Sequence, residues 1–192
     1  QVGPDSKSIW RKISVAGHEH PKFGDLVDVA ALRIESDGLT KVRTVLSKES
    51  TPDFYVHAGA EVFILGYPAG LTASEKFPLW KRGTIASEPE LGIDGLPKFL
   101  VDTATYKGMS GSAVYVVSTG TYVSEKGQRV FSAGQAILNC RFVGMYSSRL
   151  NVSPAFGEGS ANEGEKLAAV SQIGVVWKRA AIDELIGAIH QR

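Results

Sequence analysis

The chain has 192 residues, with 21 Lys and Arg against 20 Asp and Glu, 43% hydrophobic and 21% charged residues. That length and composition fit one globular domain, or two small lobes sharing a boundary, and the near-zero net charge gives no electrostatic case for nucleic acid or an anionic membrane as partner. The single cysteine, Cys140, rules out an intramolecular disulfide and favours a reducing, cytoplasmic compartment, a secreted bacterial protein without disulfides being the alternative.

Short runs rich in Val, Ile, Phe and Tyr, bounded by Gly, Pro, Asn or Asp, predict strands in chain order. They fall near 10–15, 28–34, 61–67, 81–86, 98–103, 112–117, 141–147 and 172–177. Residues 153–167, "SPAFGEGSANEGEKL", read as a long surface loop. The end of the chain differs: Ile182, Leu185, Ile186 and Ile189 recur at i, i+3, i+4 and i+7, one face of a helix. Asp183 and Glu184 in its early turns and His190 in its last suit the helix dipole. No run of about 18 apolar residues is present to span a bilayer. The start, "QVGPDSKSIWRK", lacks the apolar centre of a signal peptide.

The segment "TYKGMSGSAVY", residues 105–115, places Ser110 between Met109 and Gly111 just before an apolar run. A serine hydroxyl becomes a nucleophile when a base takes its proton and donors hold the developing oxyanion. Gly108 lets the backbone turn so that two N–H groups converge, and Gly111 leaves room for a substrate carbonyl. Taken alone, these four residues fit a tight turn before a strand equally well.

Their surroundings favour the nucleophile. "LVDTATYKGMSGSAV" (100–114) resembles the nucleophile segment of trypsin-like serine peptidases, above all their bacterial cytoplasmic and Deg-type branches. "DVAALRI" (28–34) is similar to the strand that opens with the catalytic aspartate, here Asp28. "EVFILGYPAG" followed by "KRGTIASEP", and then "FVGMYSSRL", resemble further family strands in family order, and the terminal helix fits. The resemblance spans residues 28–190. It implies a mostly β, chymotrypsin-like double antiparallel β-barrel with a C-terminal α-helix, acting on a protein or peptide substrate without a cofactor. Residues 1–60 would be the remainder of the first barrel, 61–178 the second barrel and 179–192 the helix. In roles, it implies Ser110 as nucleophile, Asp28 as partner of a histidine, and the Gly108 and Ser110 amides as oxyanion hole. Ala104 and Thr105 would lie at the base of the primary pocket, with Ser147, Ser148 and Arg149 along its wall. No acid is at that base, which disfavours a Lys or Arg preference; Arg149 offers a forked donor to an acidic side chain or points to solvent.

The histidine departs from the pattern. In this fold it precedes the aspartate by roughly 45 residues, whereas His18 and His20 lie close before Asp28, His57 follows it, and His190 is on the helix. Each reads as solvated or structural. An unclosed first barrel would also expose strand edges. The expectation is therefore that the histidine and the first strands lie upstream of Gln1, or on a second chain that completes the barrel. The rival is a pseudo-peptidase that binds peptides without cutting them. Asp102 reads as a strand-end residue, "NVS" at Asn151 as chance, and four histidines with one cysteine suggest no metal site.

Overall fold

The computed structural model describes residues 17–34, 53, 55–73, 77–104, 106–131, 138–150 and 172–190. The strand expected near 10–15, the loop at 153–167 and Thr105 lie outside them.

Six strands close into an antiparallel barrel: β3 (Glu61–Gly66), β4 (Leu79–Ile85), β5 (Lys98–Asp102), β6 (Ala113–Thr119), β9 (Leu138–Arg149) and β10 (Ile173–Lys178). Around the barrel the order is β10-β5-β4-β3-β6-β9. Two short ladders stand apart from it, β1 (Gly17–His18) with β2 (Ala31–Leu32) and β7 (Thr121–Val123) with β8 (Arg129–Phe131). Helix α1 (Arg179–His190) follows β10 without a break.

Period-2 alternation fills the barrel. Along β3, Val62 and Ile64 are fully buried, while Glu61, Phe63 and Leu65 between them are half-exposed. Phe99 and Val101 of β5, Val114 and Val116 of β6, Ile85, Val143 and Val176 complete the interior. Each such side chain contributes roughly 1.5–3 kcal/mol by leaving water. Strand β10 breaks the alternation, with Gly174 to Trp177 all buried. Its inner face enters the barrel, and on the outside Trp177 packs with Val27 and Ala181, bordered by Phe23, Val29 and Leu96. Residues 23–29 and α1 thus cover the same strand. Gly144 permits β9 to approach β10 there, since a Cβ would overlap the Trp177 carbonyl.

The expected helix is present, with Ile182 and Leu185 buried and Ile186 and Ile189 half-buried. The strand expected at 28–34 is shorter. Only Ala31 and Leu32 pair, with His18 and Gly17, and Asp28 lies in extended chain before them. A strand lasts as long as its partner, and among the described residues this one has a two-residue partner. Among the described residues the strands form one closed six-stranded barrel and two small ladders beside one helix, and the described part of 1–60 supplies the β1–β2 ladder.

Candidate active site

The registers place the candidate residues at one mouth of the barrel. Gly66 pairs with Leu79, Leu65 with Ala113, Ala113 with Met145, and Asp102 with Ile173. Residues 103–104 and 106–112, the turn 67–70 and the end of β9 therefore share one rim.

Ser110 is held by its neighbours. Met109 is completely buried in the barrel core while Ser110 beside it is exposed, so the methionine anchors the loop and the hydroxyl faces outward. The Met109 amide donates to the Tyr106 carbonyl at 3.3 Å, Ser112 N–H to Met109 O at 3.0 Å, and Gly111 N–H to Tyr146 O at 2.8 Å. Tyr146 N–H returns a bond to Ser112 O at 2.9 Å, stitching the loop to β9. Among the described residues, the Gly108 and Ser110 amides find no backbone acceptor, although their neighbours Met109, Gly111 and Ser112 all do.

Gly108 has two reasons to be glycine. Its φ of 90° is one that side chains rarely adopt, and a Cβ there would meet the Tyr67 carbonyl at 2.8 Å. The turn it abuts, Tyr67-Pro68-Ala69-Gly70, is tied to the loop by Ala69 N–H donating to Lys107 O at 2.6 Å. Gly66 likewise has no room for a side chain, against Ser112 and Met109. The "GYPAG" and "KGMSGS" segments, far apart in sequence, are thus one packed unit.

Asp28 reaches the same rim. Its Oδ2 accepts a 2.7 Å hydrogen bond from Ser147 Oγ, one residue beyond the Tyr146 that holds the serine loop. Ser147 is buried, Ser148 exposed and Arg149 half-buried. Arg149 closes β9 opposite Gly174, so it belongs to a strand. Ala104 is exposed just past the end of β5, while Thr103 is buried and donates to Arg82 O at 3.1 Å. Asp102 ends β5, opposite Thr84 and Ile173.

Three of the four histidines make side-chain contacts elsewhere. His20 is buried; its Nδ1 accepts the Lys22 and Phe23 amides at 3.2 and 3.3 Å, and its Nε2 faces Glu184 of α1 at 3.4 Å. His18 belongs to the β1–β2 ladder. His57 is exposed, stacked on Tyr55 with Nδ1 2.7 Å from the Ala58 carbonyl oxygen. His190 turns its Nδ1 to Ile186 O. Among the described residues no histidine bonds to Ser110 or Asp28.

Among these residues, too, no group of three His, Cys, Asp or Glu side chains is arranged to hold a metal ion, and no helix is long and apolar enough to cross a membrane. Comparisons with known proteins found no matching family model, curated protein or solved structure.

Proposed function

We propose that the protein is a trypsin-like serine endopeptidase in which Ser110 attacks the scissile carbonyl. The observation that carries this reading is the loop itself: an exposed Ser110 beside two amides, Gly108 and Ser110, that lack a backbone acceptor among the described residues. In this reading those amides receive the oxyanion, an interaction that costs about 3 kcal/mol of barrier when one donor is removed. A histidine upstream of Gln1, or on a second chain, takes the hydroxyl proton. Asp28, steadied by Ser147, fixes that ring's tautomer and stabilises its cation. Ala104, Ser147, Ser148 and Arg149 line the substrate channel in this reading, and no cofactor takes part. A compartment of cytoplasmic type accords with the lone cysteine.

That no histidine bonds to Ser110 or Asp28 among the described residues favours a second reading, a pseudo-peptidase that grips peptides without acylation. A fluorophosphonate probe separates the two on the polypeptide translated from the complete reading frame. Covalent labelling of Ser110 that disappears in Ser110→Ala supports the peptidase. Absence of labelling in that full polypeptide, with peptide binding retained, supports the second reading and removes the first.

A further inference from the structure

Lysine is seldom turned toward a barrel interior, and Lys81 is. Its neighbours on β4, Trp80 and Arg82, are exposed, whereas Lys81 is half-buried and pairs in register with the fully buried Ile64. Residues directly opposed across antiparallel strands share a face, so Lys81 shares the inward face with Ile64, as Gly83 does with Val62. Gly83 lies against Thr103. Lys81 is one inward step closer to the rim, on the side of Gly66, Leu79 and the serine loop.

The ammonium sits 5.6 Å from the centre of the Tyr106 ring, four residues before Ser110. That contact holds a cation beside the loop without neutralising it. Among the described residues Lys81 has no carboxylate partner, whereas its strand neighbour Arg82 is paired with Glu61. Among the described residues, the acids at this rim are committed or turned away: Asp28 accepts from Ser147, and Asp102 is exposed in register with Thr84 of β4, on the outward set. A half-buried lysine without a counter-charge among the described residues favours an anion delivered by a ligand.

We propose that Lys81 is a specificity-determining residue, its ammonium receiving the carboxylate of an Asp or Glu side chain that a substrate peptide lowers into the barrel mouth. The proposal rests on the reading of this rim as a peptide site, and it adds the substrate class. Arg149 and Lys107 bring further positive charge to the rim, but Lys81 is the cation on the inward set of β4. Tyr106 serves as a positioning residue for the ammonium.

Binding tests this independently of turnover. The Ser110→Ala protein would be titrated with fluorescein-labelled tetrapeptides, identical except for a terminal Glu, Gln or Lys. The Glu peptide is expected to bind at least about tenfold tighter than the Gln peptide, with the gap narrowing at high salt. Lys81→Met should erase the gap, Lys81→Arg should keep it, and Lys81→Glu should turn it toward the Lys peptide. Equal binding of Glu and Gln peptides, a gap that survives Lys81→Met, or no binding of any peptide overturns the proposal. Fluorophosphonate labelling of the Ser110 protein is read in parallel. Labelling without an acidic preference removes the role of Lys81 alone, and a Lys81-dependent preference without labelling removes the nucleophile reading alone.

Discussion

Ser147 Oγ donates a 2.7 Å hydrogen bond to Asp28 Oδ2, joining residues 119 positions apart. The donor is on β9, whose Tyr146 also holds the serine loop, so one strand orients both Asp28 and Ser110. In the proposed mechanism the carboxylate must keep a fixed direction, and this bond supplies it. Ser147→Ala should therefore lower kcat/KM about tenfold, the cost of a hydrogen bond to a charged group at a partly exposed site. Asp28→Asn should lower it by roughly 10⁴-fold through the wrong histidine tautomer. Steady-state kinetics on both variants of the full polypeptide check this order. Equal losses would mean that Ser147 acts in some other way.

Gly108 tests the geometry of the loop. A Cβ would force a φ of 90° on alanine and press on the Tyr67 carbonyl. Gly108→Ala should cost about 1–3 kcal/mol of stability and abolish reaction of Ser110 with a fluorophosphonate. Thermal melts and labelling on the same sample check both. Wild-type reactivity in this variant would contradict the assignment of the Gly108 amide to an oxyanion.

Met109 makes a separate claim, about anchoring. It is fully buried in the barrel core. Met109→Ala should destabilise by about 2–5 kcal/mol, while Met109→Leu, which keeps most of the volume, should cost less than about 1.5 kcal/mol. Chemical denaturation measures both. A negligible cost for the alanine variant would show that the loop is held by its hydrogen bonds alone.

Cys140 bears on pH. Burial raises its thiol above the ordinary value of 9.0, so the thiolate is scarce at neutral pH. Iodoacetamide should react with the native protein more slowly than with the unfolded chain. Because the folded state holds this proton more tightly, the unfolded chain releases it first as pH rises past 9.0. The contribution is complete below that value and is lost as pH climbs through the raised, folded one. Tyr115, raised from 10.0 by burial and by the adjacent Cys140, acts in the same direction. Lys178, lowered from 10.5 by burial, opposes them because there the unfolded chain keeps its proton longer. A comparison of wild type with Cys140→Ser from pH 8 to about 10.5 reads the thiol together with the part of the Tyr115 shift that depends on it. The decline in stability should be shallower in the variant, and an identical slope would contradict the burial of this thiol.

Much of the barrel was legible because its strands obey period 2 within one chain segment. The "EVFILG", "KFLVD" and "SAVYVV" runs each alternate around buried Val, Ile or Phe, and the i, i+3, i+4, i+7 pattern of α1 is equally local. The hairpin β7–β8 went unread, although "VSEKGQRV" carries a turn signal in Gly127, whose φ is 74°. The 28–34 run overstated its strand because pairing depends on a partner that the run does not specify. The site was legible only as separate segments. That Gly108 rests on Tyr67, that Ser147 bonds to Asp28 and that Lys81 turns inward are consequences of register and closure. His20 read as a structural or solvated histidine, and its burial between a tight turn and α1 makes it structural.

The most direct test of the central claim is mass-spectrometric location of a fluorophosphonate adduct on the polypeptide expressed from its complete reading frame. The account predicts one adduct, on the peptide containing Ser110, absent from Ser110→Ala and strongly reduced in Asp28→Asn. An adduct on another serine, or an unmodified Ser110 in a folded protein, would contradict it.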